Sequence, residues 1–392
     1  MTIKTAEAVC IGHPDKLCDL IAETILDDIT HDDPAARVAV EVTAKGRHIH
    51  VFGEITTKAR LRIRSSVAFA LEQAGYQPWR FRTHLNIKKQ SPEIGAGVTT
   101  SLEARAGDDD AFVLLGAGDQ GTVYGYATSE NDDMLPTPLV VAHEICRRID
   151  QARTDHLITG LKPDGKAQVS IRYNGDEPVE ATAIVVSVQH DKNKDLEVLE
   201  RELRSLVIEP ALGNIPLAPN ALVLINPAGT FIKGGPAADA GLTGRKLAVD
   251  TYGGLGAHGG GAFAGKDVSK VDRTAALMAR RIAKTIIAAE LATEATVAIS
   301  YAIGKADPVA FSVNTHGTAV ADDELITRAC EQLFPLRPAA MIDFLHLRGT
   351  RFARFATYGY FELPARWEHH YSNARDLFKA VKNLEIAETL RR

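Results

Sequence analysis

The stretch Asn226–Arg273, NPAGTFIKGGPAADAGLTGRKLAVDTYGGLGAHGGGAFAGKDVSKVDR, holds 12 of the 31 glycines in a chain of 392 residues. Lys233, Arg245, Lys246, Lys266, Lys270 and Arg273 stand among them, beside Asp239, Asp250, Asp267 and Asp272. Glycine gives up more backbone freedom on folding than any other residue, so such a concentration needs a reason. Close approach of backbone to a ligand is one, and successive glycine N–H groups can form a concave nest for anions. Interleaved lysines and arginines suit a polyphosphate, and the aspartates suit a hard cation riding on it. A flexible linker is the alternative, but linkers lack residues such as Phe231, Tyr252 and Phe263 and so tight a basic pattern. The stretch reads as a phosphate site.

Around it the totals are ordinary for a soluble globular chain, with 45% apolar residues, 24% charged residues and a formal net charge of -5. The acidic balance argues against a nucleic-acid scaffold, which needs a basic domain. Cys10, Cys18, Cys146 and Cys330 form no CxxC pair, and so long a chain needs no disulfide staples. A reducing, cytoplasmic setting is expected. The opening MTIKTAEAVC lacks the apolar core of a signal peptide. No stretch approaches ~18 uninterrupted apolar residues, so no membrane span is expected.

Taken in order, Gly12-His13-Pro14-Asp15-Lys16 is the first chemical motif. Leu17, Leu20, Ile21, Ile25 and Ile29 follow at helical spacing, so a helix starts at about Pro14, a position that favours proline. His13 then stands just before a helix N-terminus, where free N–H groups and the dipole attract anions. Asp15 could hold a metal there or simply complement the dipole. Residues 38–56 read as a hairpin in which Val38, Val40 and Val42 share one face and Glu41 points away from it, the posture of most solvated glutamates. A helix is expected at 58–73. The polar, Gly-rich run from Gly95 to Asp110 reads as a mobile lid, and Gly116–Gly121 as a rigid turn presenting Asp119. That GxGxxG string is weak support for a dinucleotide site, because no clear strand–helix unit surrounds it.

A helix is expected at 138–152, then a second hairpin, Gln168–Tyr173 and Val179–Gln189, turned by Asn174-Gly175, then a helix at 195–208. Lys166 falls just before the first of these strands, where a lysine is more often solvated than functional. A third hairpin, Thr296–Ile303 and Val309–Asn314, precedes a helix at 322–334, and Val271–Ala292 reads as a long helix with Lys270 and Asp272 at its start. These two charges suit a phosphate and its cation, although a charged first turn is the commoner meaning. Hairpin followed by helix thus occurs three times. The expected fold class is α+β, with three similar domains, each a small mostly antiparallel sheet with helices on one face, divided as 1–104, 115–232 and 233–392.

GHPDK, GEIT, KQSP, GAGDQG, GLTGRK, DTYGG, HGGGAF, GKD and SKVDR occur in one order between Glu7 and Pro338. Together they resemble the S-adenosylmethionine synthetase (methionine adenosyltransferase) family; the last fifty residues match less well. The resemblance implies attack of methionine sulfur on C5′ of ATP, giving S-adenosylmethionine and triphosphate, which is hydrolysed to pyrophosphate and phosphate. Sulfur is already nucleophilic, so the work is alignment and stabilisation of charge on the leaving triphosphate. Alignment of this kind can contribute about 7–11 kcal/mol. The resemblance implies that His13 contacts the triphosphate near the ribose and helps the leaving oxygen. It gives Lys166, Arg245, Lys246, Lys266 and Lys270 to triphosphate oxygens, and makes His13, Lys166, Arg245, Lys266 and Lys270 catalytic. Asp15 and Asp272 would hold two magnesium ions and Glu41 a potassium ion. Asp119 would hold the ribose or adenosine, with Phe231 stacked on adenine. Glu54, Gln90 and Asp239 would bind methionine, whose side chain would pack near Ile303. Family members share substrates between two subunits, so a homodimer, or a dimer of dimers, is implied.

Three departures from the family pattern stand out. Cys10-Ile11 precedes Gly12 where Ser-Glu is usual. The segment between Val98 and Gly116 looks longer than the family's lid and carries Asp108-Asp109-Asp110. Tyr358-Gly359-Tyr360-Phe361 replaces Tyr-Gly-His-Phe. These suggest a divergent, bacterial branch. A catalytically silent ATP-binding regulatory paralogue is the competing reading, opposed by retention of Asp15, Lys166, Arg245 and Asp272. A phosphoryl-transfer enzyme is a third, opposed by the lack of a GxxxxGK[ST] string.

Overall fold

One order of elements repeats along the chain. The first segment runs β1 (Thr2–Val9), α1 (Pro14–Asp32), the hairpin β2 (Arg37–Lys45) and β3 (His48–Thr56), α2 (Ile63–Gln73) and β4 (Arg82–Lys88). The second runs β5 (Gly121–Thr128), α3 (Thr137–Thr154), the hairpin β6 (Leu161–Asn174) and β7 (Glu177–His190), α4 (Leu196–Leu203) and β8 (Leu217–Ile225). The third runs β9 (Gly241–Leu242), α5 (Val271–Ala288), the hairpin β10 (Glu294–Tyr301) and β11 (Ala310–Asn314), and α6 (Asp323–Leu333), with α7 (Pro338–Phe344) and α8 (Tyr371–Thr389) after it. The structure is a computed structural model that describes residues 1–90, 99–361 and 371–390.

The opening strand of each segment pairs outside its own hairpin. β1 joins β6, β5 joins β10 and β9 joins β2, all antiparallel. Three sheets result, in the orders β1-β6-β7-β8, β11-β10-β5 and β4-β3-β2-β9. β4 and β8 pair parallel to β3 and β7, which the helical crossover before each allows. The fold is therefore α+β, with sheets that are mostly antiparallel, as the sequence indicates. The three hairpins and their following helices are present. The lent strands were not foreseen, because a strand's partner is not written in its own sequence.

The chain divides into two compact units: Met1–Lys88, Pro136–Leu255 and Arg351–Glu362 form one, and Lys89–Leu135, Gly256–Thr350 and Leu363–Arg392 the other. In the first, α3 lies on β1 and β6, burying Ile145 and Ile149 against Ala167, Val169, Ile171 and Val186. α1 lies on β2 and α2, where Val38, Val40 and Val42 point inward and Glu41 lies on the opposite face. In the second unit α5 covers β5 and β10 and is buried almost all round. Its Arg280 is fully buried, and donates to the carbonyls of Tyr126 at 2.7 Å, Asp133 at 2.7 Å and Met134 at 2.9 Å. A buried guanidinium is tolerated when its donors are taken up in this way.

Some boundaries differ from expectation. α2 starts at Ile63 rather than 58, because Thr57 and the amide of Lys58 donate to Asp33 at 2.6 and 2.8 Å and hold that connection as a loop. β6 starts at Leu161 rather than Gln168, so Lys166 lies inside the strand. Pro163-Asp164-Gly165 looks like a turn in sequence but falls at a register irregularity between Leu161 and Gly165, the kind of place where a strand accepts proline.

Candidate active site

In the first unit the site is built on the start of α1. His13 is the N-cap, Pro14 opens the helix, and His13 Nδ1 accepts the amide of Asp15 at 3.2 Å. Burial, then Lys246, pushes the imidazole down to about 4 against the pull of Asp15. The ring is thus neutral at pH 7, with Nδ1 an acceptor and Nε2 left as its N–H donor. Asp15 is buried; its Oδ1 accepts the amide of Leu242 at 3.1 Å and its Oδ2 meets Lys246 Nζ at 2.7 Å, with Arg245 at 3.9 Å. GLTGRK is therefore folded onto GHPDK by that carboxylate. Gly241 permits it: a Cβ there would lie 2.1 Å from the carbonyl oxygen of Pro14.

Sequence reasoning missed the charges beneath. Lys16, fully buried, bonds Asp19 at 3.0 Å and also Asp250, and Asp19 accepts the amide of Gly244 at 2.9 Å. Burial works against the ammonium, but the two carboxylates outweigh it and lift Lys16 above its usual value. Burial also pushes Asp250 up to about 6 despite Lys16. The signal was available: Lys16 and Asp19 sit at i, i+3 on one face of a helix. Asp164 was also missed. It accepts the amide of Gly235 at 2.7 Å and is pushed up by burial to about 6.

Lys166 is half-exposed on β6 and meets Glu7 of β1 at 2.6 Å. The lent strand thus places the first segment's acid beside the second segment's lysine. Glu41 accepts the hydroxyl of Thr243, so it is engaged rather than merely solvated. Glu54 is exposed on β3. Phe231 is half-buried and its backbone is locked to His190, with amide to Nε2 and amide to carbonyl both 2.9 Å. Asp239 is exposed, and its Oδ1 accepts the amide of Ala240 at 2.7 Å.

The second unit carries the other group. α5 begins at Val271 with Lys270 as N-cap and no side-chain cap. Lys266 Nζ meets Asp272 Oδ2 at 2.5 Å, and Lys270 Nζ meets Asp267 Oδ2 at 3.0 Å. Gly261 lies on Asp272, where a Cβ would come 2.4 Å from the carboxyl carbon. His258 Nδ1 accepts the amide of Gly260 at 2.8 Å. Asp119 is exposed in the turn before β5. That turn is bonded to the loop of Ile303 through Ala117 N to Lys305 O at 2.7 Å and Gly304 N to Ala117 O at 2.9 Å. Ile303 is exposed and Gln90 half-buried. Within each unit, lysines lie on carboxylates. Several glycines serve close contacts within the protein rather than open space for a ligand.

Of the expected lid, residues 95–98 lie outside the described residues, and the rest makes local contacts. Leu102–Arg105 is helical, and Ser101 caps it by accepting the amide of Ala104 at 3.1 Å. Glu103 bonds Lys305 Nζ and the amide of Ala306, each at 2.8 Å. Arg337 clasps the acidic run, reaching Asp108 at 2.8 Å, Asp110 at 3.3 Å and Asp307 at 2.8 Å. The amide of Ile11 donates to Asp150 at 2.8 Å, as does the hydroxyl of Tyr358 at 2.7 Å, and buried Tyr360 donates to Glu23 at 2.5 Å.

Paired lysine–aspartate groups at two helix starts, set in glycine-rich turns, are an arrangement that a metal-bound polyphosphate would fit. Sequence comparison narrows this. The N-terminal, central and C-terminal domains of S-adenosylmethionine synthetase match residues 1–95, 114–231 and 233–369. The S-adenosylmethionine synthase of Corynebacterium urealyticum is 44% identical over 398 residues, covering 96% of this chain and 98% of that protein. That of Corynebacterium kroppenstedtii is 45% identical over 383 residues, 93% and 95% of the two chains, and that of Nocardia farcinica 43% identical over 398 residues, 97% and 98%. The chain belongs to the S-adenosylmethionine synthetase family.

Proposed function

We propose that the chain is a methionine adenosyltransferase, forming S-adenosylmethionine and triphosphate from methionine and ATP and hydrolysing the triphosphate to pyrophosphate and phosphate. The observation that carries this is the fold of GLTGRK onto GHPDK, which sets neutral His13 beside Asp15, Arg245 and Lys246. Sulfur attack needs no base, and no strong base is offered there: His13 donates through Nε2 to the oxygen that leaves C5′. Lys166, Arg245, Lys246, Lys266 and Lys270 take triphosphate oxygens, and Asp119 and Phe231 hold the nucleoside. Glu54, Gln90, Asp239 and Ile303 take methionine. Nothing favours the silent regulatory paralogue.

Two magnesium ions and a potassium ion belong to this reading. Magnesium is commonly held by one or two carboxylates plus substrate phosphates rather than by a protein cage. Asp15 and Asp272 suit that, because each is a carboxylate already facing lysine, which can pass to the phosphate when the cation arrives. Bound there, magnesium neutralises charge on the leaving triphosphate. Glu41 would hold potassium. We further propose a cytoplasmic homodimer or dimer of dimers. No helix among the described residues is long and apolar enough to cross a membrane. We also propose the domain divisions 1–104, 115–232 and 233–392, each of which begins before the strand it lends.

The test is steady-state synthesis with magnesium titration. Lys166→Met should cut turnover about a hundredfold or more with the fold retained, as loss of a group acting on developing charge does. Asp272→Asn should raise the magnesium needed or abolish activity. Wild-type turnover in the first variant, or an unchanged magnesium response in the second, would remove that residue from its role.

A further inference from the structure

We propose that His48, His50 and His84 form a three-imidazole site for a borderline divalent transition metal, zinc above all, on the outer face of the β3–β4 pair. His48 and His50 are two residues apart on β3, so they share the face opposite buried Ile49 and Val51. His84 on β4 is the register partner of His50. Ring centroids lie 4.5 Å apart for His50 and His84, 5.2 Å for His48 and His84, and 6.4 Å for His48 and His50. Each ring offers a nitrogen within 4.8 Å of the other two, the one such trio of His, Cys, Asp or Glu side chains among the described residues.

Chemistry points to a borderline metal rather than to magnesium. The trio offers nitrogen alone, which zinc, copper and nickel accept and magnesium does not. Zinc–nitrogen bonds of about 2.0–2.1 Å in a tetrahedron place ligand nitrogens about 3.3 Å apart. His48 Nδ1 and His84 Nε2 already stand 3.0 Å apart, so one edge of that tetrahedron is nearly formed. The remaining closure is by rotation of exposed side chains. The rings must be neutral to bind, and Arg64 and Arg82 stand close enough to act electrostatically on His84. Those two arginines oppose a cation, so the site requires all three nitrogens. Among the described residues β4 is an edge strand paired only to β3, and a metal here would clip it down.

The experiment uses untagged, chelator-treated full-length protein, titrated with zinc by calorimetry and with cobalt by visible absorption. One zinc per chain is expected, with a four-coordinate cobalt spectrum, no displacement by millimolar magnesium, and a melting temperature raised by zinc. His50→Gln and His84→Gln should melt as wild type without metal, bind zinc at least tenfold more weakly, and lose the zinc-induced rise. Absence of zinc binding, undiminished binding in both variants, or a six-coordinate cobalt spectrum in wild type would overturn the proposal. The cobalt spectrum decides even if a variant does not fold.

Discussion

Gly261→Ala isolates the geometry of the second unit's carboxylate. A Cβ at Gly261 would lie 2.4 Å from Asp272 Cγ and 2.5 Å from its Oδ1, where ordinary contact begins at 3.4 Å. The carboxylate, being the movable partner, must retreat by about 1 Å. Gly261 has no left-handed φ, so alanine adds no backbone strain of its own. A loss of order 1 Å in placement can cost about a hundredfold in rate, or about 2.7 kcal/mol in the barrier. The fold should hold, since alanine also restricts the unfolded chain, worth about 0.4–1 kcal/mol in its favour. We therefore expect kcat/KM for synthesis to fall about a hundredfold, the half-saturating magnesium concentration to rise, and the melting temperature to stay close to that of wild type. Turnover within threefold of wild type at unchanged magnesium dependence would refute the claim that Asp272 is positioned by this glycine for a metal.

Two further outcomes follow from buried charge. Lys16→Met leaves Asp19 and Asp250 without their cation and should cost about 3–5 kcal/mol of stability, read by urea unfolding; a loss under 1 kcal/mol would show that the pair is not a buried ionic anchor. Glu103 is pushed up by burial, but the amide of Ala306 and Lys305 outweigh this and hold it at about 2, below the usual 4.5. A carboxyl with a lowered folded value contributes stability above its unfolded value and loses it as pH falls toward the folded one. Protease resistance of residues 99–116 should therefore decline between pH 4.5 and 2 in wild type, while Glu103→Gln should be susceptible already at pH 7 and lack that decline. Equal resistance of both proteins at pH 7 would contradict this.

Much of this was legible because local chemistry decides it. Alternation of Val38, Val40 and Val42 gave a hairpin, and Pro14 ahead of Leu17, Leu20 and Ile21 gave a helix start, both without reference to the rest of the chain. The lent strands were not legible, since pairing of β1 with β6 depends on residues about 160 positions away, a separation the register Ala8 to Ala167 makes concrete. The same limit hid Glu7 beside Lys166 and Asp250 beneath Lys16. The Arg337 guanidinium that clasps Asp108 and Asp110 was hidden for the same reason. The number of glycines signalled close approach, which at Gly241 and Gly261 is to Pro14 and Asp272.

The most direct measurement is mass spectrometry of purified protein incubated with ATP, methionine, magnesium and potassium. S-adenosylmethionine appearing with pyrophosphate and phosphate in equal amounts is the predicted result. ATP bound without product, or ADP as the sole nucleotide product, would contradict it.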